Sequence, residues 1–290
     1  MADTRVLIDG LYFGEGPRWR DGRLWFSDFY DHAVKSVDLT GHLRLEHQFD
    51  DYPSGLGWLP DGRLLVVSMK ALKVLRQERD KFAVHADLSS ISRFKCNEML
   101  VDAQGRAYVG DFGFDLDAQI ERVGVEGVLA DHPTSSLVRV DPDGSVHLAA
   151  QDMHFPNGTA VTPDGKTLII AESLGMCLTA FDVANDGSLT NRRIWANVEA
   201  SAPDGICLDA EGNVWFADAI APQCVLISQG GEVLNRVVTH NNCYACMLGG
   251  EDGRDLFMLT AESSDASAAA RMRTGQIELY RASSPRAGYP

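Results

Sequence analysis

A tight turn followed by a short apolar strand recurs six times along the chain, and this repeat constrains the fold more than any other feature. Aligned on the turn, the copies read RDGRLWFSD at 20–28, PDGRLLVVS at 60–68, AQGRAYVGD at 103–111, PDGKTLIIAES at 163–173, AEGNVWFAD at 210–218 and EDGRDLFMLTA at 251–261. The spacing is about that of one propeller blade. Each turn carries a Gly, the residue that most readily takes the positive φ a hairpin demands. An apolar strand precedes each turn, and a further strand pair with its own turn follows, as in LVRVDPDGSVHLAA at 137–150 and VLISQGGEVLNRVV at 225–238. Four short strands per unit make one blade.

Helical periodicity is nearly absent, and the strand runs are short, β-branched and punctuated by turns, which excludes a doubly wound α/β fold. The pattern predicts an all-β, six-bladed β-propeller filling residues 1–290 as a single domain, since blades cannot stand alone and must stack around a central channel. One segment breaks the period. LDAQIERVGVEGVLADHPT lies between GDFGFD and SSLVRV, too long for a hairpin. Its place directly after an inner-blade strand marks residues 116–134 as a candidate lid over the channel mouth.

Composition narrows the partners. Against 26 basic residues stand 41 acidic ones, a net charge of −15, which argues against nucleic acid because a phosphate backbone needs a basic face. Residues 1–10, MADTRVLIDG, lack the basic start and apolar core of a signal peptide, and no apolar run approaches a membrane span. A soluble cytoplasmic protein with no membrane partner is expected, and its six cysteines are then reduced thiols. Cys243 and Cys246 form a C-x-x-C without a second pair, so a buried thiol and a loop thiol describe them better than a zinc site.

In a propeller the segments leading into the innermost strands converge on the axis. Those places hold Glu15 in GEGPRW, Ser54 in YPSGLGW, Asn97 in KCNEMLVD, Asn157 in FPNGTAVT, Asp204 in APDGICLD, and Tyr244-Ala245-Cys246. Asn or Asp before Gly is a common turn element with no ligand role. A carboxylate or carboxamide at four equivalent places of one ring is harder to explain by turns alone. Such oxygens suit a hard or borderline dication, Ca, Mg, Mn or Zn. No G-x-S-x-G elbow is present, and no His pairs with a Ser or Cys; His154 reads as a loop residue. Trp19, Trp25, Trp58 and Trp215 read as core, whereas Tyr12, Phe29, Phe112 and Tyr244 flank the mouth.

At GEGPRW, the Asn97-Glu98 region before VDAQGRAYVGD, FPNGTAVTPDGKTLIIAES and APDGICLDAEGNVWFAD, the sequence resembles the SMP-30/gluconolactonase/LRE family, which includes regucalcin. The resemblance runs through all six repeats. It implies a propeller with one divalent metal in the central channel, hydrolysing a small-molecule lactone, with Glu15, Asn157 and Asp204 as protein ligands and Asp204 also as proton acceptor. It places Asn97 at the open face as a ligand or substrate contact, with Lys95 and Glu98 beside it on the substrate side. Where the family's sugar lactonases carry Arg-x-Asn-Asp-Gly, this chain reads Lys95-Cys96-Asn97-Glu98-Met99. A point charge thus replaces a guanidinium fork suited to vicinal hydroxyls, which puts a sugar ring in question more than the hydrolysis. Other esters, phosphotriesters, or calcium binding without turnover are the alternatives.

Overall fold

The computed structural model describes residues 4–288. Every repeat becomes a four-stranded antiparallel sheet, and six sheets surround one axis. Blade one runs Gly14–Arg20, Arg23–Asp28, Ala33–Val37 and Leu43–Gln48 from axis to rim. The inner strands of blades two to six are Pro53–Trp58, Cys96–Val101, Pro156–Val161, Pro203–Asp209 and Asn242–Gly249. Each packs on the next, and that of blade six returns to blade one. In blade one the Asp21-Gly22 turn places both residues at positive φ, 52° and 74°, the two-residue geometry whose twist matches that of the strands.

Blade six is closed from the other end of the chain. Its outermost strand is Arg5–Leu11, paired with Gly275–Arg281, so N- and C-terminal segments share one sheet. A short fifth strand, Arg286–Ala287, adds to the inner strand of blade five at Leu208 and Asp209. The ring thereby depends on both ends of the chain.

Apolar faces meet between blades. Leu65 and Val67 lie against Met99 and Val109 between blades two and three. Tyr108 and Leu137 meet Val161 and Leu168 between three and four, and Ile169 and Leu178 meet Ile206 and Phe216 between four and five. Leu24 and Phe26 join Phe257 and Met258 across the closure. No blade buries its own face, as stacked repeats require.

All six inner strands share an irregularity near their starts. The register shifts between Glu15 and Arg18, Pro53 and Leu56, Cys96 and Met99, Pro156 and Thr159, Pro203 and Ile206, and Cys243 and Ala245. Each is a β-bulge, a device that re-aims a side chain, and Ser54, Asn97, Asn157, Asp204 and Tyr244 sit in the bulged pairs. The glycines beside them have a packing reason. A Cβ on Gly158 would lie 2.4 Å from both the Asp204 carbonyl oxygen and the Ile206 nitrogen, and one on Gly205 would lie 2.6 Å from the Ala245 Cα. Neighbouring inner strands touch backbone to backbone there. Gly158→Ala is therefore expected to destabilise by about 3 kcal/mol or more, read as a lower thermal midpoint; an unchanged midpoint would show that the strands part easily.

The interrupting segment is helical rather than irregular. Residues 116–134 hold a helix, Leu116–Ala130, kinked at Gly124 (φ 73°) and capped by the Asp115 carboxylate accepting from the Ala118 N–H at 3.1 Å. Only Val128 of this helix is buried. A second helix, Ala266–Met272, interrupts blade six and was not expected. Asp265 caps it, and the following Ala-Ser-Ala-Ala-Ala run was the available signal.

Candidate metal and catalytic site

The six bulges bring Glu15, Ser54, Asn97, Asn157, Asp204 and Tyr244 to one end of the channel, all between 1% and 7% exposed. A directional hydrogen-bond chain links four blades. The Ser54 hydroxyl donates to Asn97 Oδ1 at 3.0 Å, and Asn97 Nδ2 donates to Asn157 Oδ1 at 3.1 Å. Asn157 Nδ2 donates to Ser173 Oγ at 3.3 Å, and Ser173 donates its only hydrogen to the Pro203 carbonyl at 2.7 Å. Because that hydroxyl is spent on Pro203, it can only accept from Asn157. The Asn157 oxygen therefore faces Asn97 and away from Ser173.

Asp204 Oδ1 is buried and has no hydrogen-bond partner. An orphaned carboxylate oxygen is costly unless something satisfies it. Burial raises the Asp204 carboxyl well above the usual range, followed by the charges of Glu98, Cys246 and Asp218. Glu15 is raised likewise, by burial first and then by Asp204 and Glu98, against a bond from the Gly16 N–H. Two mutually repelling buried carboxylates, one with an oxygen unused, are what a divalent cation would relieve. Among the described residues no group of three or more His, Cys, Asp or Glu is arranged to hold a metal. An ion at this mouth would need a further donor beside the two carboxylates, and the Asn157 amide oxygen, which accepts one bond from Asn97 and has a second lone pair, is the candidate. The donor set fits a hard or borderline dication.

Lys95 and Glu98, expected on the substrate side, lie next to Asn97 in different surroundings. Glu98 is buried and ion-paired with Arg18 at 2.5 Å, and that guanidinium also donates to the carbonyls of Met99, of Leu56 at 3.1 Å and of Pro17 at 2.7 Å. Glu98 occupies the bulge place that Gly55, Gly158 and Gly205 hold in other blades, and it faces inward to Arg18. Beyond Arg18 a cavity of about 650 Å³, lined also by Trp19, Trp58 and Val101, opens at the other end of the channel. Arg18 thus lines that cavity, while Glu98 lies close enough to the other end to raise the Glu15 and Asp204 carboxyls. Lys95 is half-buried, its ammonium 5.3 Å and 5.8 Å from the ring centres of Phe94 and Phe112.

The mouth is aromatic. Phe13, Phe29 and Tyr244 pack together with Met69 and Ala269 of the second helix, and Tyr30, Tyr52 and Phe112 border them. Of the expected rim residues Tyr12 alone lies apart, under the Arg273 guanidinium at 4.5 Å. Phe155, in the left-handed region at φ 61°, lies on Phe112 with ring centres 4.6 Å apart. His154 is not a lone loop residue: its Nδ1 meets His132 Nε2 at 2.9 Å, and His132 Nδ1 meets the Val128 carbonyl of the first helix at 2.8 Å. With the two imidazoles 22 positions apart in the chain, no local motif announces the pair. All six cysteines are free and buried, and Cys243 lies in the inner strand of blade six rather than a loop.

Fold and mouth together define a six-bladed propeller with a buried oxygen-donor cluster on its axis. The SMP-30/Gluconolactonase/LRE-like region matches residues 13–262, and the chain belongs to that family. It is 28% identical over 192 residues to regucalcin of Danio rerio, a match covering 64% of this chain and 61% of that protein, which is less than two thirds of the relative's length. To gluconolactonase of Zymomonas mobilis it is 27% identical, with 87% of this chain and 77% of the other covered. Its fold is that of a calcium-binding regucalcin from Agrobacterium tumefaciens, with TM-score 0.80, 19% identity, and 100% and 97% of the two chains covered. No helix among the described residues is long and apolar enough to cross a membrane.

Proposed function

We propose that this chain is a metal-dependent hydrolase that opens a lactone ring. The observation that carries the reading is the unpartnered Asp204 Oδ1, buried beside Glu15 in a mouth where Asn157 turns its oxygen away from Ser173. Glu15, Asn157 and Asp204 would hold one Ca, Zn, Mn or Mg ion, which when bound polarises the lactone carbonyl and acidifies water. Asp204 takes the proton from the attacking water and returns it to the ring oxygen as the ring opens. Asn97, which accepts from the Ser54 hydroxyl and donates to the Asn157 oxygen, stands at the open face as a substrate contact or a further ligand. The gluconolactonase relative supports a small lactone as the substrate class.

The aromatic rim favours a ring bearing an apolar part over a polyol. Phe13, Phe29, Phe112 and Tyr244 border the mouth, and the nearby Arg18 is engaged by Glu98 and three carbonyls. A panel of sugar, aliphatic and aromatic lactones, with an aryl ester and a phosphotriester, assayed by proton release with EDTA and with each metal restored, tests both points. Chelator-sensitive turnover greatest on aliphatic or aromatic lactones is the expected result. Metal uptake with no turnover on any member would leave a calcium-binding propeller.

The first helix is the proposed selectivity element. The strands flanking it, Ala107–Asp111 and Ser135–Val140, pair directly with Gly110 opposite Leu137, so a short turn can replace residues 115–132. Loop shortening costs little entropy. Excision is expected to shift relative kcat/KM among lactones about tenfold while the thermal midpoint moves by only a few degrees. Unaltered selectivity with a collapsed midpoint would make the helix a structural strut.

A further inference from the structure

A second register rule accompanies the bulges. Opposite the residue just ahead of each candidate oxygen donor stands the last acid of the blade's second strand: Gly14 faces Asp28, Cys96 faces Asp111, Pro156 faces Glu172, and Pro203 faces Asp218. Three of them are the last residue of the repeated turn-and-strand motif, and Glu172 is the last but one in its copy. In the blades that begin with Ser54 and Tyr244, the same place holds the hydroxyls of Ser68, opposite Pro53, and Thr260, opposite Cys243. All four acids are buried, from 0% to 2% exposed.

Three of them hold the backbone on its way into the site. The Phe13 N–H donates to Asp28 at 2.8 Å, the His154 N–H to Glu172 at 2.7 Å, and the Ala202 N–H to Asp218 at 3.1 Å. These donors stand two or three residues ahead of Glu15, Asn157 and Asp204. Each acid is itself fixed from behind, Asp28 by Lys35 at 2.8 Å, Glu172 by Arg192 at 3.0 Å and by the Thr179 hydroxyl at 2.5 Å, and Asp218 by the Gln223 amide at 2.7 Å. Burying a carboxylate is expensive, and a hydroxyl suffices at this place in two other blades. The acids recur where the inner strand brings an oxygen donor to the mouth.

We infer that Asp28, Glu172 and Asp218 are positioning residues for the divalent cation, one behind each ligand. Each clamps the chain just ahead of its ligand through a charge-assisted hydrogen bond, so that the bulge presents Glu15, Asn157 or Asp204 at a fixed place. The inference rests on the metal reading above. Blade six supplies a matched comparison. There Glu278, 0% exposed, accepts from the His240 N–H at 3.0 Å and from Thr260 Oγ1 at 3.1 Å, and so clamps the approach to Tyr244, which is not among the proposed ligands.

The test is calorimetric titration of Mn²⁺ into EDTA-stripped wild type, Asp28→Asn, Glu172→Gln, Asp218→Asn and Glu278→Gln, with thermal melts of the metal-free proteins. A merely structural role moves the melts of all four variants together. The positioning role raises the Mn²⁺ Kd about 10–100-fold in the first three and leaves it within about twofold in Glu278→Gln. The three variants probe separate ligands, so any that folds gives the comparison with Glu278→Gln, and Asp218→Glu, which restores the charge, is added should none of them fold. Equal Kd shifts in Glu278→Gln and the others, or no shift in any folded variant, would overturn the inference. Wild type that takes up no Mn²⁺, Ca²⁺ or Zn²⁺ would instead overturn the metal reading on which it rests.

Discussion

Asp204→Asn is expected to lower kcat about 1,000-fold while KM changes little, the pattern of an interaction made chiefly in the transition state. Asn keeps the shape of the side chain and one oxygen for an ion. It loses both the charge and the capacity to take a proton. Asn157 already stands at the equivalent place one blade earlier, and its amide is fixed by Asn97 and Ser173, so a carboxamide there is compatible with the bulge. The two positions should therefore fail differently. Asn157→Ala is a loss of ligand, whereas Asp204→Asn still takes up metal at saturating concentration yet turns over poorly. Single-turnover rates of the fully loaded variant distinguish them; a rate near that of wild type would reduce Asp204 to a ligand.

Glu15→Gln is expected to weaken metal binding by about 3 kcal/mol, roughly 100-fold in Kd, because one of two buried ligand charges is gone. In the metal-free protein the same substitution should stabilise. Burial, Asp204 and Glu98 raise the Glu15 carboxyl well above its ordinary value of 4.5, so the folded chain keeps this proton to higher pH than the unfolded chain. The folded state is then favoured at and below the unfolded value, and that advantage is lost as pH rises through the folded one. EDTA-stripped wild type should lose thermal midpoint as pH rises above the ordinary carboxylate range, and Glu15→Gln should flatten the decline. Asp204, raised in the same direction, leaves a residual slope. A parallel pair of curves would mean that Glu15 carries no buried charge.

Blade number and the mouth residues were legible because both follow from local grammar. An Asp-Gly or Glu-Gly turn announces each hairpin, and the side chain before the inner strand follows from its place in the repeat. The reason for the adjacent glycines was not legible, since Gly158 and Gly205 are required by the backbone of the next blade rather than by their own turns. Nor was the fate of Glu98, whose partner Arg18 is 80 residues away and is reached only after three blades have closed. The strand Arg5–Leu11 carries no turn signal and acquires its partner from the far end of the chain. The first helix has glycines at 124 and 127 and a single buried apolar residue, so its periodicity was too weak to separate from a loop. Bulges leave no mark in an alternating pattern that is buried on both faces, and all six inner strands are nearly so.

The central claim is that Glu15, Asn157 and Asp204 form one divalent-cation site at the axial mouth. Calorimetric titration of EDTA-stripped protein with Mn²⁺, wild type against Asn157→Ala, tests it most directly. One equivalent of ion bound by wild type, and binding about 100-fold weaker in a variant that melts like its parent, is the expected result. Unaltered stoichiometry and affinity in Asn157→Ala would place any bound ion elsewhere and contradict the site.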